Sequence, residues 1–530
     1  MKKSLLYIRL FFLTATLTVV FQINLSATTI FQKLYETTIN LELEKPFSAL
    51  GSGYFLCGNE YDSSAFSWRN MTLLKTDSLG IPQWCKGYGT SDEEYANDFY
   101  LTSDSCVLMA GSFSYFGIGA LEDYYIIKTD LSGNLLWSVA VGGNSSDIAV
   151  SIVETHDSGY VIAGNSWSFG IMTEEIYLIK LDINGNKLWS RVIGNGTGSQ
   201  VKSIKTTFDG GFVLAGHLSS PYNILIVKTD SLGFPQWDRN YHGRVEDWAY
   251  DIIQTQDSGF VTIAKTMDGD DATLFKTDKN GNPIWAKILS YNNSTINSEN
   301  ILLSNDNYIL IGGNAYDTTT FESKIILSKI DSLGNVIWTN TFGGPVNENE
   351  YAGSFNQLID STFILLGNGA GFGSNGSYFI KSGLAGSSNC NRSEIFIADT
   401  LITLIVDSGI TWRTPLDSLW HPNTIVSNVP IIETLLCIGN NVEILSDSKI
   451  NIEIYPNPFT SLLNIRIDAR DKSKKSINVI NNMGKLVSST YSEDPLVEVS
   501  MSEFPAGIYH CIIYNDGKEL ITKSVIKVVE

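Results

Sequence analysis

The sequence predicts an all-β chain, most of it a seven-bladed β-propeller, and three observations carry that expectation. A short pattern (Lys, one residue, Asp, two residues, Gly, three residues, Trp) recurs six times at intervals of about fifty residues. A second turn element, in which Asp and often Gly precede an aromatic residue, falls about midway between successive copies. The composition, with 45 glycines, 11% aromatic and only 17% charged residues, suits short strands joined by tight turns. A hydrophobic fraction of 43% is ample for a large core and argues against disorder.

From the amino terminus, residues 1–27 have the layout of a signal peptide. Lys2, Lys3 and Arg9 make a basic start, Leu10 to Phe21 is an apolar run, and Ser26 and Ala27 are small residues at a cleavable position. The run is shorter than the roughly 20 residues of a membrane span. The first cysteine, Cys57, is far from the cut, so a lipid-anchored amino terminus is not expected. No later stretch is long and apolar enough to span a membrane, so a soluble mature chain without a transmembrane segment is expected. The formal charge is −20, and loss of a leader with three cations and no acid makes it more negative. A chain this acidic, with no basic aromatic-interleaved stripe, repels phosphate backbones, which argues against nucleic acid as a partner.

The repeat occupies 28–389. Its turn and docking residues are Asp77, Gly80 and Trp84; Asp130, Gly133 and Trp137; Asp182, Gly185 and Trp189; Asp230, Gly233 and Trp237; Asp278, Gly281 and Trp285; and Asp331, Gly334 and Trp338. A β-prone run such as Tyr177-Leu178-Ile179-Lys180 stops at the Asp-to-Gly turn. Asp accepts hydrogen bonds from its own turn, and Gly supplies a positive φ without steric cost. The strand that restarts delivers Trp, which can bury roughly 150–250 Å². Four such strands in about fifty residues match one propeller blade, and the 3.6-residue period of a helical solenoid is absent. The midway element reads Asp157-Ser158-Gly159-Tyr160 up to Gly164, and Asp209-Gly210-Gly211-Phe212 up to Gly216. It opens again at Asp257 to Phe260, and Gly53-Tyr54 up to Gly58 is the first copy.

The seventh unit reaches Tyr378-Phe379-Ile380-Lys381 and then lacks both the Asp and the Trp strand. Phe31 to Tyr35 stands where a Trp-led strand would, just ahead of the Gly53-Tyr54 element. The first strand is therefore expected to complete the last blade and remove two open edges. The unit resembles the repeats of about fifty residues common in large secreted proteins of Bacteroidota. Quinoprotein propellers have a similar tryptophan docking motif with one more residue between Asp and Gly. Sialidase-type Asp boxes have shorter gaps on both sides of Gly. Those offsets change the turn, so no cofactor and no catalytic residue is carried over from either family.

From about 450 the composition shifts. Tyr455-Pro456-Asn457-Pro458-Phe459 is followed by Leu463-Asn464-Ile465-Arg466, by Val479 to Gly484, and by Phe504-Pro505-Ala506-Gly507-Ile508-Tyr509. Alternation at 462–467 and the run 507–513 read as strands, with a turn at Asn481 to Gly484. The segment 450–530 resembles the type A C-terminal sorting domain of the type IX secretion system, with Tyr455, Pro456, Asn457, Pro458, Gly484, Gly507 and Tyr509 as its landmarks. That resemblance implies a small immunoglobulin-like β-sandwich, recognised by the export machinery after passage through the periplasm. It also implies a passenger that is released or held at the outer cell surface, usually with the domain removed. The stretch 390–449 belongs to neither pattern and is expected to be a linker or packing extension rather than a binding insert. Cys390 and Cys437 flank it and are the candidate disulfide in an oxidising compartment. Cys57, Cys85 and Cys106 are expected to be buried thiols.

Turn chemistry accounts for the repeated Asp residues, since each unit offers one Asp without clustered partners for calcium. Asp268, Asp270 and Asp271, around Gly269, lack the spaced ligands of a calcium loop. The Lys two residues before each Asp is expected at a solvated strand end rather than stacked on a Trp. His156, His217, His242, His421 and His510 show no metal-ligand spacing, and His242 is expected at the surface. Asp-Ser-Leu at 77–79, 230–232 and 331–333 resembles a short O-glycosylation motif of Bacteroidota proteins. The function expected is a non-enzymatic extracellular module that binds glycan or protein. An enzyme of polysaccharide-degrading or quinoprotein-like type stands as the alternative, because carboxylates from distant loops can converge in a propeller funnel.

Overall fold

Two turns make each blade. Before the outermost strand, an Asp carboxylate accepts the N–H groups two and four residues on. Asp77 takes Leu79 and Ile81 at 2.8 and 2.9 Å, and Asp331 takes Leu333 and Asn335 at 2.9 and 2.8 Å. The Gly that ends this turn has φ between +70° and +84° in all six copies, a conformation that side chains disfavour. In the other turn a Thr hydroxyl donates to an Asp carboxylate, as Thr207 to Asp209 and Thr255 to Asp257 at 2.5 Å.

The computed structural model describes residues within 29–527. It leaves out 441–451 and several connections, among them 62–68, 115–120, 243–246, 267–271, 344–349, 370–375 and 384–391. The signal peptide, the Asp268–Asp271 cluster and His421 lie outside the described residues. Among those described every regular element is a strand, and no helix is long and apolar enough to cross a membrane.

Four-stranded antiparallel blades occupy 40–89, 93–142, 147–194, 199–242, 247–290 and 294–342, here blades 1 to 6. Blade 7 takes three strands from 350–382 and its fourth from Thr29–Glu36, with Phe31 opposite Lys381 and Tyr35 opposite Ser377. The amino-terminal strand thus closes the ring. Its Phe31 does what Trp does elsewhere. A Cβ on Gly133 would come within 2.7 Å of Trp84, one on Gly233 within 2.8 Å of Trp189, and one on Gly80 within 2.8 Å of Phe31. Apart from Trp338, which packs on Phe363 of blade 7, each of these aromatic rings lies on the turn glycine of the next blade, which is why Gly and Trp recur together. The core is divided accordingly, one apolar cluster straddling each of the seven interfaces between blades. Full burial of one large apolar side chain stabilises by about 1.5–3 kcal/mol, so each interface carries several such increments.

The repeated Lys is not at a solvated strand end. Lys128, Lys180 and Lys228 are buried, and their ammonium groups meet Asp104, Asp157 and Asp209 of the other turn at 2.7, 2.6 and 2.9 Å. Lys276 meets Asp257 and Lys329 meets Asp306 in the same way, each at 2.6 Å. The pair joins the two turns on one face of the blade. The lysine stem covers apolar surface on the way, while the head stays paired.

The stretch 390–449 does more than link. Between 392 and 440 the chain runs back around the rim and adds a fifth, antiparallel strand to every blade. Arg392–Glu394 edges blade 6, Ala398–Leu401 blade 5, Ile405–Asp407 blade 4 and Thr411–Arg413 blade 3. Ser418–Trp420 edges blade 2, Ile425–Asn428 blade 1, and Ile432–Asn440 lies on the first strand of the chain. Leu404 and Val429 are buried in the interface clusters, and Asp417 meets Lys187 at 2.7 Å while accepting from Tyr177 and Ser190. This belt covers seven open edges. Cys437 lies in its last strand, opposite Gln32, whereas Cys390 lies outside the described residues. Cys57, Cys85 and Cys106 are buried free thiols.

The carboxy-terminal residues form a separate pair of sheets. Ile452–Tyr455, Leu462–Ile467 and Leu496–Ser500 make one, and Lys475–Asn481, Leu486–Ser492, Gly507–Asn515 and Lys518–Lys527 make the other. Leu463, Ile465, Val497 and Val499 of the first sheet share a core with Ile477, Val479, Cys511 and Ile513 of the second, which makes a small β-sandwich.

Candidate functional site

The two faces of the ring differ because the connections differ. One face carries the tight Asp turns. The other carries the crossings between blades and the connections from second to third strand, and is here the loop face. Those connections run five to eight residues in six blades but only two, Ser220 and Pro221, in blade 4.

Seven inner strands line a central channel of about 910 Å³. Each bulges where it lines the channel, leaving Glu44, Asn97, Val150, Lys202, Tyr250 and Glu299 without an opposite residue in blades 1 to 6. In five of these blades the bulge packs against a neighbour without a side chain. A Cβ on Gly58, Gly111, Gly164, Gly216 or Gly313 would lie 1.7–2.1 Å from a carbonyl oxygen two residues before the bulge. This explains why the midway element closes on Gly; blade 5 has Ala264 there instead.

The residue after each bulge builds a polar ring that sequence reasoning missed. Lys45 meets Asp98 at 2.5 Å across blades 1 and 2, and Asp98 accepts from Ser151 and the Ile152 amide, both at 2.9 Å. Asp251 accepts from Ser203 at 2.5 Å, meets Lys205 at 2.9 Å and accepts the Ile301 amide at 3.2 Å. Asn300 donates to the Gly353 carbonyl at 2.9 Å. The signal was present: Lys45, Asp98, Ser151, Ser203, Asp251 and Asn300 each stand thirteen residues before the closing Gly or Ala264. Burial opposes the charge on Asp98, but Lys45, Lys205 and the Ile152 amide outweigh it and hold its carboxyl below the usual range. Glu44 accepts only a long hydrogen bond from Asn59, at 3.4 Å, among the bonds described. Burial, with Glu42 adding repulsion, pushes its carboxyl up to about 7.

One level towards the loop face, Asn ties neighbouring blades. Asn59 donates to the Ala96 carbonyl at 3.1 Å and accepts its amide at 2.8 Å, and Asn165 does the same for Val201 at 3.4 and 2.8 Å. At the equivalent position blade 4 has His217 and blade 5 has Lys265. His217 is 2% exposed and stacks on Trp248 of blade 5, with ring centres 4.7 Å apart and planes inclined by 14°. Tyr222, beside the two-residue connection, packs against both rings at 6.5 and 6.1 Å. Gln200 donates to Glu174 at 2.6 Å, and both line the channel with Lys202. Burial, then Lys202, brings the His217 imidazole down to about 4, so it is neutral at physiological pH.

The sequence-singled residues lie elsewhere. The Asp, Gly and Trp sets form the turn face and the blade interfaces, away from the channel. His242 sits on an outer strand, its Nε2 3.1 Å from Asp407 of the belt. In the sorting segment, Tyr455 ends a strand, Gly507 begins one and Tyr509 is in the core. Pro456, Asn457, Pro458 and Gly484 lie outside the described residues. Among the described residues no three His, Cys, Asp or Glu side chains are grouped to hold a metal ion.

Residues 453–527 match the family model of the secretion system C-terminal sorting domain. No curated protein matches the chain. Among solved structures, similarity extends to PorZ of Porphyromonas gingivalis, a surface component of the type IX secretion system. It is 11% identical over 90% of this chain and 69% of that one, with a TM-score of 0.29. An exo-β-1,3-galactanase of Phanerochaete chrysosporium is 12% identical over 85% and 97%, at 0.31. The extracellular domain of a putative hybrid two-component system of B. thetaiotaomicron is 9% identical over 92% and 68%, at 0.28. At these values no residue role passes from them to this chain. A seven-bladed propeller followed by this sorting domain marks the chain as cargo of the type IX secretion system, carried to the cell surface or beyond it.

Proposed function

We propose that the propeller is a recognition module which receives an extracellular glycan at the loop face of its central channel. The observation that carries this reading is the channel itself: about 910 Å³ of space whose wall mixes carboxylates, amides and the aromatic rings of Tyr100, Tyr250 and Phe208. Its innermost charges are paired across blades, which leaves a polar surface of modest net charge for a hydroxyl-rich ligand. The sorting domain brings that surface to the outside of the cell, where such ligands are found.

The mature protein is tested by calorimetry against soluble polysaccharides and host glycans, with mass spectrometry of the mixtures. Binding without new products supports the reading, and silence across the panel sinks it in favour of a protein ligand. One observation favours a second reading, a glycan-cleaving enzyme: Glu44 lines the channel with a carboxyl held protonated towards neutral pH. New products that vanish in Glu44→Gln would establish it.

A further inference from the structure

We propose that the channel mouth between blades 4 and 5 is a subsite for one pyranose ring of a neutral glycan, with Trp248 and Tyr222 as its apolar wall and Gln200, Glu174 and Lys202 as its polar wall. This deepens the glycan reading and rests on it. The first support is where the repeat breaks. In a ring of near-identical blades, departures from the structural rule are expected where function overrides it. Ser112 in blade 2 and Lys265 in blade 5 also replace the tying Asn, but three departures meet at this one interface. The blade-tying Asn becomes His217, the closing Gly becomes Ala264, and the guarding connection shrinks to Ser220-Pro221. The connection beside the aromatic residues is the shortest of the seven.

The second support is chemistry left unused. His217 Nδ1 and Trp248 Nε1 are buried and have no hydrogen-bond partner among the described residues. Asn at position 217 would tie the blades as Asn59 and Asn165 do, so the imidazole is retained at the expense of that tie. What it does instead is back the indole: the stacked, neutral ring holds Trp248 flat while the indole stays half-buried, at the place on the blade 5 inner strand that Gln200 holds in blade 4. A pyranose ring has an apolar C–H face that suits an aromatic wall, and vicinal hydroxyls that suit adjacent carboxamide and carboxylate groups. Glu174 and Gln200 are already aligned 2.6 Å apart. Glu174 and Lys202 carry opposite charges within each other's field, so the polar wall has no surplus to balance an anionic ligand. The strongly acidic chain also repels polyanions.

The test uses the mature full chain, with gluco-, manno-, xylo- and galacto-oligosaccharides as neutral probes and oligogalacturonate as the anionic one. Affinity is read by calorimetry and by quenching of tryptophan emission. His217→Asn installs the tie used elsewhere in the ring, so its melting temperature is expected to hold or rise while affinity for the bound neutral probe falls at least tenfold. Tyr222→Ala, at a side chain more than one-third exposed, is expected to melt as wild type and to bind several-fold more weakly. If a neutral probe binds and both variants bind it unchanged, the subsite is overturned while glycan recognition stands. Binding of oligogalacturonate alone overturns the neutral ligand. If no probe binds, glycan recognition falls and the subsite falls with it.

Discussion

A methyl group on Gly216 would lie within 1.9 Å of the Gln200 carbonyl oxygen, and no rotamer change relieves a clash between backbone atoms. Gly216→Ala is therefore expected to push the inner strand of blade 4 inward and to destabilise by roughly 1–3 kcal/mol, as overpacked sites do. Blade 5 tolerates Ala264 at the same place, so Ala264→Gly is expected to cost under about 1 kcal/mol, the usual glycine penalty in a strand. Urea unfolding of both variants checks this, and equal losses would contradict it. Asp417 is the belt residue to remove. Its side chain is 4% exposed, and Asp417→Asn keeps its shape while taking the counter-ion from Lys187. A loss of roughly 3 kcal/mol is expected for breaking a buried pair, read as a lower urea midpoint. At this scale the sequence was only half legible. Asp77, Gly80 and Trp84 carry turn and docking chemistry in local order, so their roles could be read from spacing. The partner of Lys128 is Asp104, reached across a hairpin, and nothing local distinguishes that ammonium from one in water.

The blade was legible as an element because its turn signals recur six times; the belt was not. Its strands are three or four residues long except the last, and each is specified by an edge supplied from far away. Short apolar runs such as Ile405 to Asp407 hold no periodicity that identifies a strand. The bulges of the inner strands were hidden for a related reason, since an unpaired residue such as Lys202 exists only relative to a partner strand. The belt makes a direct prediction for exchange kinetics. Adjacent residues alternate in donating to the neighbouring strand, so Ile405→Pro together with Val406→Pro removes the bond to blade 4. Amides of Pro235–His242 are expected to exchange faster in that variant, while those of the inner strand Ser199–Thr206 keep their protection. Unchanged exchange in the outer strand would mean that the belt does not hold the blade edge.

Across the whole molecule the acids fall into two groups with opposite effects. Burial works against Asp157 and Asp257, but hydrogen bonds from Lys180 or Lys276 and from the turn Thr bring both carboxyls down to about 2 from 3.8. Their contribution is complete above pH 4 and is lost as pH falls towards 2. Burial pushes Glu44, Glu94 and Asp123 up to about 7, so they favour the folded state in acid and oppose it as pH rises from about 4 through 7. The urea midpoint is therefore expected to fall from pH 5 to pH 8. A midpoint that keeps rising from pH 5 to pH 8 would contradict this.

The direction of the belt has a consequence for the order of assembly. Its first strand pairs Arg392 with Phe342, about fifty residues away, whereas its last pairs Glu433 with Tyr35, about four hundred away. With the first strand already held against Gly376–Ser382, starting at blade 7 would mean closing a loop of about fifty residues at the outset, which costs about 2 kcal/mol more loop entropy than each closure across the three- or four-residue links between belt strands. Zipping backwards from blade 6 replaces that one closure with a series of short ones. The strand made first in synthesis is then the last edge to be covered. Each preceding blade is already edged when that happens, and the ring is locked from both ends of the propeller chain at a single blade.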